Sequence, residues 1–234
     1  LSTSLLWSKA IISAYSRLNK TFNYEPKILE GNIKKNKFQE CIEVKNISYK
    51  YDNHKVLNDI SFKIKKNSHN LIVGKNGSGK STLLNLLIEI KSYQNLFSYI
   101  YQNSYLIDTT IYENLIFGNN FKNKKDEKNK KLIYDALEKA DALFAYNLPL
   151  KLETRVGEGA KFLSGGEKQK ICIARAILQK SEIMIFDETS SGLDTDSKLK
   201  FNRTLKNLKK IYTIIEVDHT KSFLQEEDIN IIKL

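Results

Sequence analysis

The sequence predicts an α/β fold in which a parallel sheet lies buried between helices. Three observations lead there. Short apolar runs alternate with longer amphipathic stretches along the chain, the pattern of strands alternating with helices. The runs Leu71 to Val73 and Ile183 to Phe186 are apolar throughout rather than at every second residue, as in strands covered on both faces. The 113–160 stretch lacks strand signals, so it reads as a helical insertion.

Each element follows in order. Residues 1–23 predict an amphipathic helix, with Leu5, Leu6, Ile11, Ile12, Ala14, Tyr15, Leu18 and Phe22 on one broad stripe. Pro26 and Gly31 break it, and Lys34 to Lys37 make a short basic linker. Strands are predicted over Ile42–Tyr51, Val56–Ile64 and Leu71–Val73, a helix from about Lys80, and a strand over Phe97–Tyr101. The charged run Lys122 to Lys131 reads as a solvated loop or helix face. Helical spacing resumes at Leu132 to Phe144 and again after Ser164. A strand at Glu182 to Phe186, a helix at Ser197 to Leu208, and strands at Ile211 to Val217 and Ile229 to Leu234 complete the chain. No internal repeat is present.

Length and composition set limits. The 234 residues suit one large domain, long enough to bury a core without disulfides. Cys41 and Cys172 are the only cysteines and form no CxxC pair, so neither a disulfide framework nor a zinc site is expected, and a reducing compartment fits. No apolar run reaches the ~18 residues of a membrane span. The chain opens at Leu1 without a signal peptide and reads as an excised piece of something longer. The net charge of +11 invites a nucleic-acid partner, but only four of the 38 basic residues are Arg. Arg supplies the forked contacts of nucleic-acid readers. The Lys-, Asn- and Ile-rich composition looks instead like codon bias, and no nucleic acid is expected. His54 and His69 have no motif around them and are read as surface residues.

Chemistry concentrates first at Gly74-Lys75-Asn76-Gly77-Ser78-Gly79-Lys80-Ser81, which fits G-x-x-x-x-G-K-[ST] between an apolar strand and an apolar helix. Gly77 and Gly79 let successive N–H groups turn inward around phosphate oxygens. The helix adds the positive end of its dipole. Lys80 places an ammonium on the β and γ phosphates, Ser81 offers a hydroxyl to Mg²⁺, and Thr82 is a further donor. Asp187 and Glu188 close the apolar run Ile183 to Phe186. Asp187 would hold Mg²⁺ through water, and Glu188 would orient or deprotonate the attacking water. The fold class sharpens to a P-loop NTPase core with a mixed or parallel sheet.

A second anion cradle lies at Leu163-Ser164-Gly165-Gly166-Glu167-Lys168-Gln169-Lys170, a Ser-Gly-Gly turn opening a helix. Ser164 with Glu167 also forms a capping-box pattern. With these motifs the sequence resembles the nucleotide-binding domain of an ABC transporter, from about Ile42 to Leu234. The resemblance implies a helical signature subdomain at about 113–180 and an antiparallel β subdomain, preceded over 1–37 by a helix and linker from the transmembrane domain. It implies that two domains pair head to tail around two ATP, with Ser164, Gly165, Gly166 and Glu167 of one facing the phosphate loop of the other. It implies that Tyr51 stacks on adenine and that Gln102 touches Mg²⁺ and the attacking water. It gives Ser191-Gly192-Leu193-Asp194 a crossing to the partner, and His219 the switch role at the γ-phosphate.

Thr109-Thr110-Ile111-Tyr112-Glu113-Asn114-Leu115 and Thr154-Arg155-Val156-Gly157-Glu158 resemble exporter segments, the second where coupling helices touch. The whole resembles a B-type half-transporter, with phrases similar to mitochondrial-type exporters. It implies membrane association, facing the cytosol or an organelle matrix. The alternatives are a soluble ABC-type ATPase and a non-hydrolysing regulatory partner. The 84 residues between Lys80 and Ser164 leave no room for the long coiled coil of a repair ATPase, and Glu188 with His219 argues against a regulatory partner. The sequence departs from the pattern in three places. Only 22 residues separate Lys80 from Gln102, so the β subdomain reads as reduced by omission or local loss. Ala160 and Gly159 replace the common Gly and Arg. The chain stops before the usual closing glycine turn.

Overall fold

The computed structural model describes residues 40–89, 96–101, 105–119, 121, 126–218 and 229–234, all within the compact unit Ile33–Leu234. The expected leading helix and linker, Gln102, His219 and the short stretch after Ile90 lie outside the described residues.

Two strands, β1 (Cys41–Tyr51) and β2 (His54–Lys65), form an antiparallel ribbon with Ile42 opposite Ile64 and Val44 opposite Phe62. Asp52 and Asn53 make the connecting turn, Asp52 with φ of 47°, the positive φ that short hairpin turns need. Asn46 and Asp59 also have positive φ, and the Asn46 amide donates to Asp59 Oδ1 at 2.6 Å across the irregular part of the ladder.

The second sheet holds β3 (His69–Val73), β4 (Phe97–Ile100), β5 (Ile183–Asp187), β6 (Thr213–Val217) and β7 (Ile229–Lys233) in the order β4-β5-β6-β3-β7, every pair parallel. Its central strands are buried on both faces. Ile183 and Ile185 of β5 pack into one hydrophobic cluster and Met184 and Phe186 into the other, which is why the run reads as continuously apolar.

Among the described residues five helices flank the sheet: α1 (Lys80–Glu89), α2 (Ile111–Ile116), α3 (Glu127–Lys139), α4 (Gly165–Leu178) and α5 (Thr195–Leu208). Leu83, Leu84 and Leu87 of α1 are fully buried with Ile42, Val44 and Leu57 of the ribbon, each side chain contributing about 1.5–3 kcal/mol. Helices α2, α3 and α4 build the other cluster with Ile111, Leu115, Ile133, Leu137, Ile171 and Ile177. No helix among the described residues is long and apolar enough to cross a membrane.

Three expectations need correction. Helix α3 begins at Glu127 rather than Leu132, so that part of the charged run is the solvated helix face expected of it, and Asp126 caps it by accepting from Lys128 N at 2.9 Å. It ends at Lys139 rather than reaching Phe144, since Asp141 takes a φ of 54° and a short 3₁₀ turn follows at Leu143–Tyr146. Third, His54 is exposed but His69 is not. His69 is 6% exposed, and its Nε2 lies 2.7 Å from Oε2 of Glu216, itself 1% exposed. The pairing of β3 with β6 brings these two residues together across the sheet interior.

Candidate nucleotide site

The phosphate loop runs from the end of β3 into α1 as the motif requires. Gly79 has φ of 93°, and a Cβ added there would lie 2.7 Å from Leu57 Cδ2 and 2.9 Å from Val56 Cγ1. Both the conformation and the space therefore demand glycine. Gly77 also has positive φ, 80°, but its Cβ position is open. Gly79→Ala is expected to destabilise the domain by more than about 1 kcal/mol, from the left-handed conformation alone, with the clash added. Thermal unfolding together with nucleotide titration checks this.

Lys80 opens α1 and is only 5% exposed. A buried ammonium at a helix N-terminus is doubly unfavourable. It is held by donating to the carbonyls of Gly74 and Lys75, both at 3.0 Å. An ammonium has three N–H donors, so one is left for a ligand. Ser78 Oγ is buried with no hydrogen-bond partner among the described residues, a donor suited to a phosphate oxygen. Ser78 N closes the turn on the carbonyl of Lys75 at 3.1 Å.

Tyr51, Val56, Asn76, Gly77, Gly79, Lys80, Ser81, Thr82 and Glu188 line one open cleft of about 440 Å³. Residues from the ribbon, the loop, α1 and the end of β5 meet there, although 137 positions separate Tyr51 from Glu188. Tyr51 is half exposed and stands edge-on to Tyr49 with ring centroids 5.0 Å apart. Gly74 lies in the same loop without lining the cleft.

Asp187 ends β5, where Oδ2 accepts from the Tyr99 hydroxyl at 2.5 Å. Burial, then the bond to Asp187, pushes the Tyr99 phenol far above its usual range, so it remains a donor at any ordinary pH. Tyr99 sits two residues back in the register, opposite Ile185, and the phenol spans that rise. The Asp187 side chain keeps its second oxygen for other ligands. The predicted hard-oxygen set, the Ser81 hydroxyl and the Asp187 carboxylate, fits Mg²⁺, which keeps waters and takes substrate phosphates rather than an all-protein cage. Among the described residues no cluster of three or more His, Cys, Asp or Glu side chains gathers.

Glu188 follows with φ of 52°, a left-handed conformation unusual for this residue. Its N–H donates to the carbonyl of Val217 at 3.0 Å, and its carbonyl accepts from Ser191 Oγ at 2.8 Å.

The signature turn stands apart. Ser164 caps α4: its Oγ accepts from Glu167 N at 3.2 Å, and the Glu167 carboxylate accepts from Ser164 N at 2.8 Å. The capping box expected from sequence is present. Ser164, Gly166 and Glu167 line a smaller cleft with Gln169, Leu193 and Ser197, and none of these residues lines the cleft of Lys80; Gly165 is the first residue of α4. Asp194 caps α5 by accepting from Ser197 N at 3.0 Å and Ser197 Oγ at 2.7 Å, which holds its carboxyl below the usual range.

The two exporter-like stretches zip together. Thr110 bridges Arg155, Ile111 N donates to Thr154 O at 3.0 Å, and Val156 N donates to Thr109 O at 2.9 Å. Asn114, fully buried, donates to the carbonyls of Ile107 and Thr110 and accepts from Ile107 N. Sequence reasoning found both stretches but not their pairing, nor Tyr99 beside Asp187. No local signal marks either.

Comparison with known proteins agrees with this geometry. The ABC transporter family model matches residues 57–191, more than half of the chain. An ATP-dependent lipid A-core flippase of Francisella novicida is 31% identical over 208 residues, covering 80% of this chain and 34% of the flippase. One from Coxiella burnetii is 33% identical over 232 residues, covering 86% of this chain and 38% of the flippase. The chain thus spans about a third of the length of these relatives. The fold resembles that in a structure of a bacterial Atm1-family ABC exporter with ATP bound, with a TM-score of 0.78 at 24% identity over 95% of this chain and 43% of that one. The matched stretch takes in the phosphate loop, the signature turn and the Asp187-Glu188 pair, and on that ground the chain belongs to the ABC transporter family of ATP-binding proteins.

Proposed function

We propose that this chain is the ATP-hydrolysing motor of an ABC exporter, and that two such domains close head to tail over two ATP to drive transport through a transmembrane domain. The observation that carries this reading is the single cleft in which Tyr51, the phosphate loop and Glu188 converge. Its separation from the signature cleft supports the pairing, because Ser164, Gly165, Gly166 and Glu167 lie outside this chain's own nucleotide cleft and can face a partner's nucleotide. The zipped pair of exporter-like stretches supports the exporter reading.

In this mechanism Tyr51 stacks on adenine, and Gly74, Asn76, Gly77, Ser78 and Gly79 shape a cradle of donors around the phosphates. The third N–H of Lys80 and the Thr82 hydroxyl add to it. Such fixed donors stabilise charge as it spreads in the in-line transition state. Ser81, Asp187 and Gln102 would hold Mg²⁺, which neutralises phosphate charge. Glu188 orients and deprotonates the attacking water, and Gln102 and His219 fix its position. Closed pairs are favoured by ATP and released by its hydrolysis, a population shift. The domain works at a membrane, facing the cytosol or an organelle matrix, and the membrane half selects the cargo.

The test is nucleotide binding. Lys80→Ala is expected to weaken ATP binding at least about tenfold, the loss of one charge-assisted contact, read by titration with a fluorescent ATP analogue. Unchanged affinity would remove Lys80, and with it this placement of the phosphates.

A further inference from the structure

Three anchors of the turn that carries Glu188 lie among the described residues. Glu188 N donates to Val217 O at 3.0 Å. The carbonyl of Thr189 accepts from Gln169 Nε2 at 3.0 Å, a buried bond from the helix that the signature turn opens. Ser190 Oγ donates to Asp218 Oδ2 at 2.9 Å, with both residues 3% exposed. Of the three, this is the one made by two side chains.

Burying a carboxylate is costly unless it is well bonded. Asp218 is nevertheless buried at the end of β6, immediately before His219 in sequence. Its bond to Ser190 is of the charge-assisted kind, stronger than a neutral one. The strained φ of Glu188 persists only where its surroundings over-determine it, and this bond is part of that surrounding. Neither Ser190 nor Asp218 lines the nucleotide cleft.

We propose that Ser190 and Asp218 are positioning residues for hydrolysis: their hydrogen bond sets the turn after Glu188, and so the direction of its carboxylate, and locks that turn to the strand end leading into His219. This rests on the ATPase reading above. Because the pair acts through Glu188 and touches no nucleotide, it governs turnover rather than binding.

The test uses the full-length polypeptide, purified, with Mg-ATP hydrolysis and fluorescent-ATP binding measured on wild type, Ser190→Ala, Asp218→Ala, Asp218→Asn and the double alanine variant. Each alanine is expected to lower kcat about tenfold, as small misplacements of reacting groups do, with KM and nucleotide affinity within about twofold. The double variant falls no further than the worse single one, since coupled residues are non-additive. Asp218→Asn keeps an acceptor oxygen and recovers most of kcat. Losses that add in the double variant, a kcat equal to wild type, or a loss confined to binding would each overturn the proposal. Should Asp218→Ala not fold, Ser190→Ala and Asp218→Asn decide it. A wild-type protein that hydrolyses no ATP sinks the ATPase reading and this proposal together. Active wild type with unaltered variants sinks the positioning role alone.

Discussion

Glu188→Gln is expected to lower ATP turnover by about 10²–10⁴-fold, the usual worth of a general base, while ATP still binds. The change is close to isosteric. It keeps the backbone at φ 52° and the bonds to Val217 and Ser191, so it removes the proposed base without disturbing its mount. With hydrolysis stopped and binding intact, the paired state should outlive that of wild type. Phosphate release measures the first effect, and size-exclusion chromatography with ATP the second. Turnover like that of wild type, with no longer-lived pair, would remove Glu188 from the mechanism.

The largest stability effect is expected at His69. Truncation to Ala leaves the Glu216 carboxylate 1% exposed and without the imidazole 2.7 Å away. Its other oxygen, Oε1, already lacks a hydrogen-bond partner among the described residues. Leaving a buried polar group without its hydrogen-bond partner costs about 1–3 kcal/mol, a sizeable share of the roughly 5–15 kcal/mol that holds a domain folded. Replacing both residues by Leu should cost less than His69→Ala, because it removes the stranded polar group along with its partner. Urea denaturation of the two variants compares them directly. A single-variant loss under about 1 kcal/mol would show that the Glu216 carboxyl is not left stranded by the change.

These two cases mark the limit of what a sequence displays. Around Glu188 the relevant signals are local: an apolar strand, then two carboxylates, just as the phosphate loop carries its glycines, lysine and serine in eight consecutive residues. The capping box at Ser164 and Glu167 is likewise contained in four residues, and it is formed as written. His69 and Glu216 stand 147 positions apart, and nothing near either names the other. Their meeting depends on the strand order β4-β5-β6-β3-β7, and parallel strands joined by long crossovers carry no pairing signal in sequence. The same holds for Tyr99 beside Asp187 and for Thr110 against Arg155. The start of α3 was within reach: Asp126 is a good N-cap, hidden in a run whose charge suggested solvent first.

The left-handed backbone at Glu188 has a consequence for how this protein can be altered. Any L-residue with a Cβ pays about 1–2 kcal/mol in that conformation, and glycine would not. With Glu188 as the proposed base, position 188 is one where thermostability and turnover are opposed. A library screened for resistance to heat would be drawn toward glycine there, and its best survivors would be those that had given up hydrolysis.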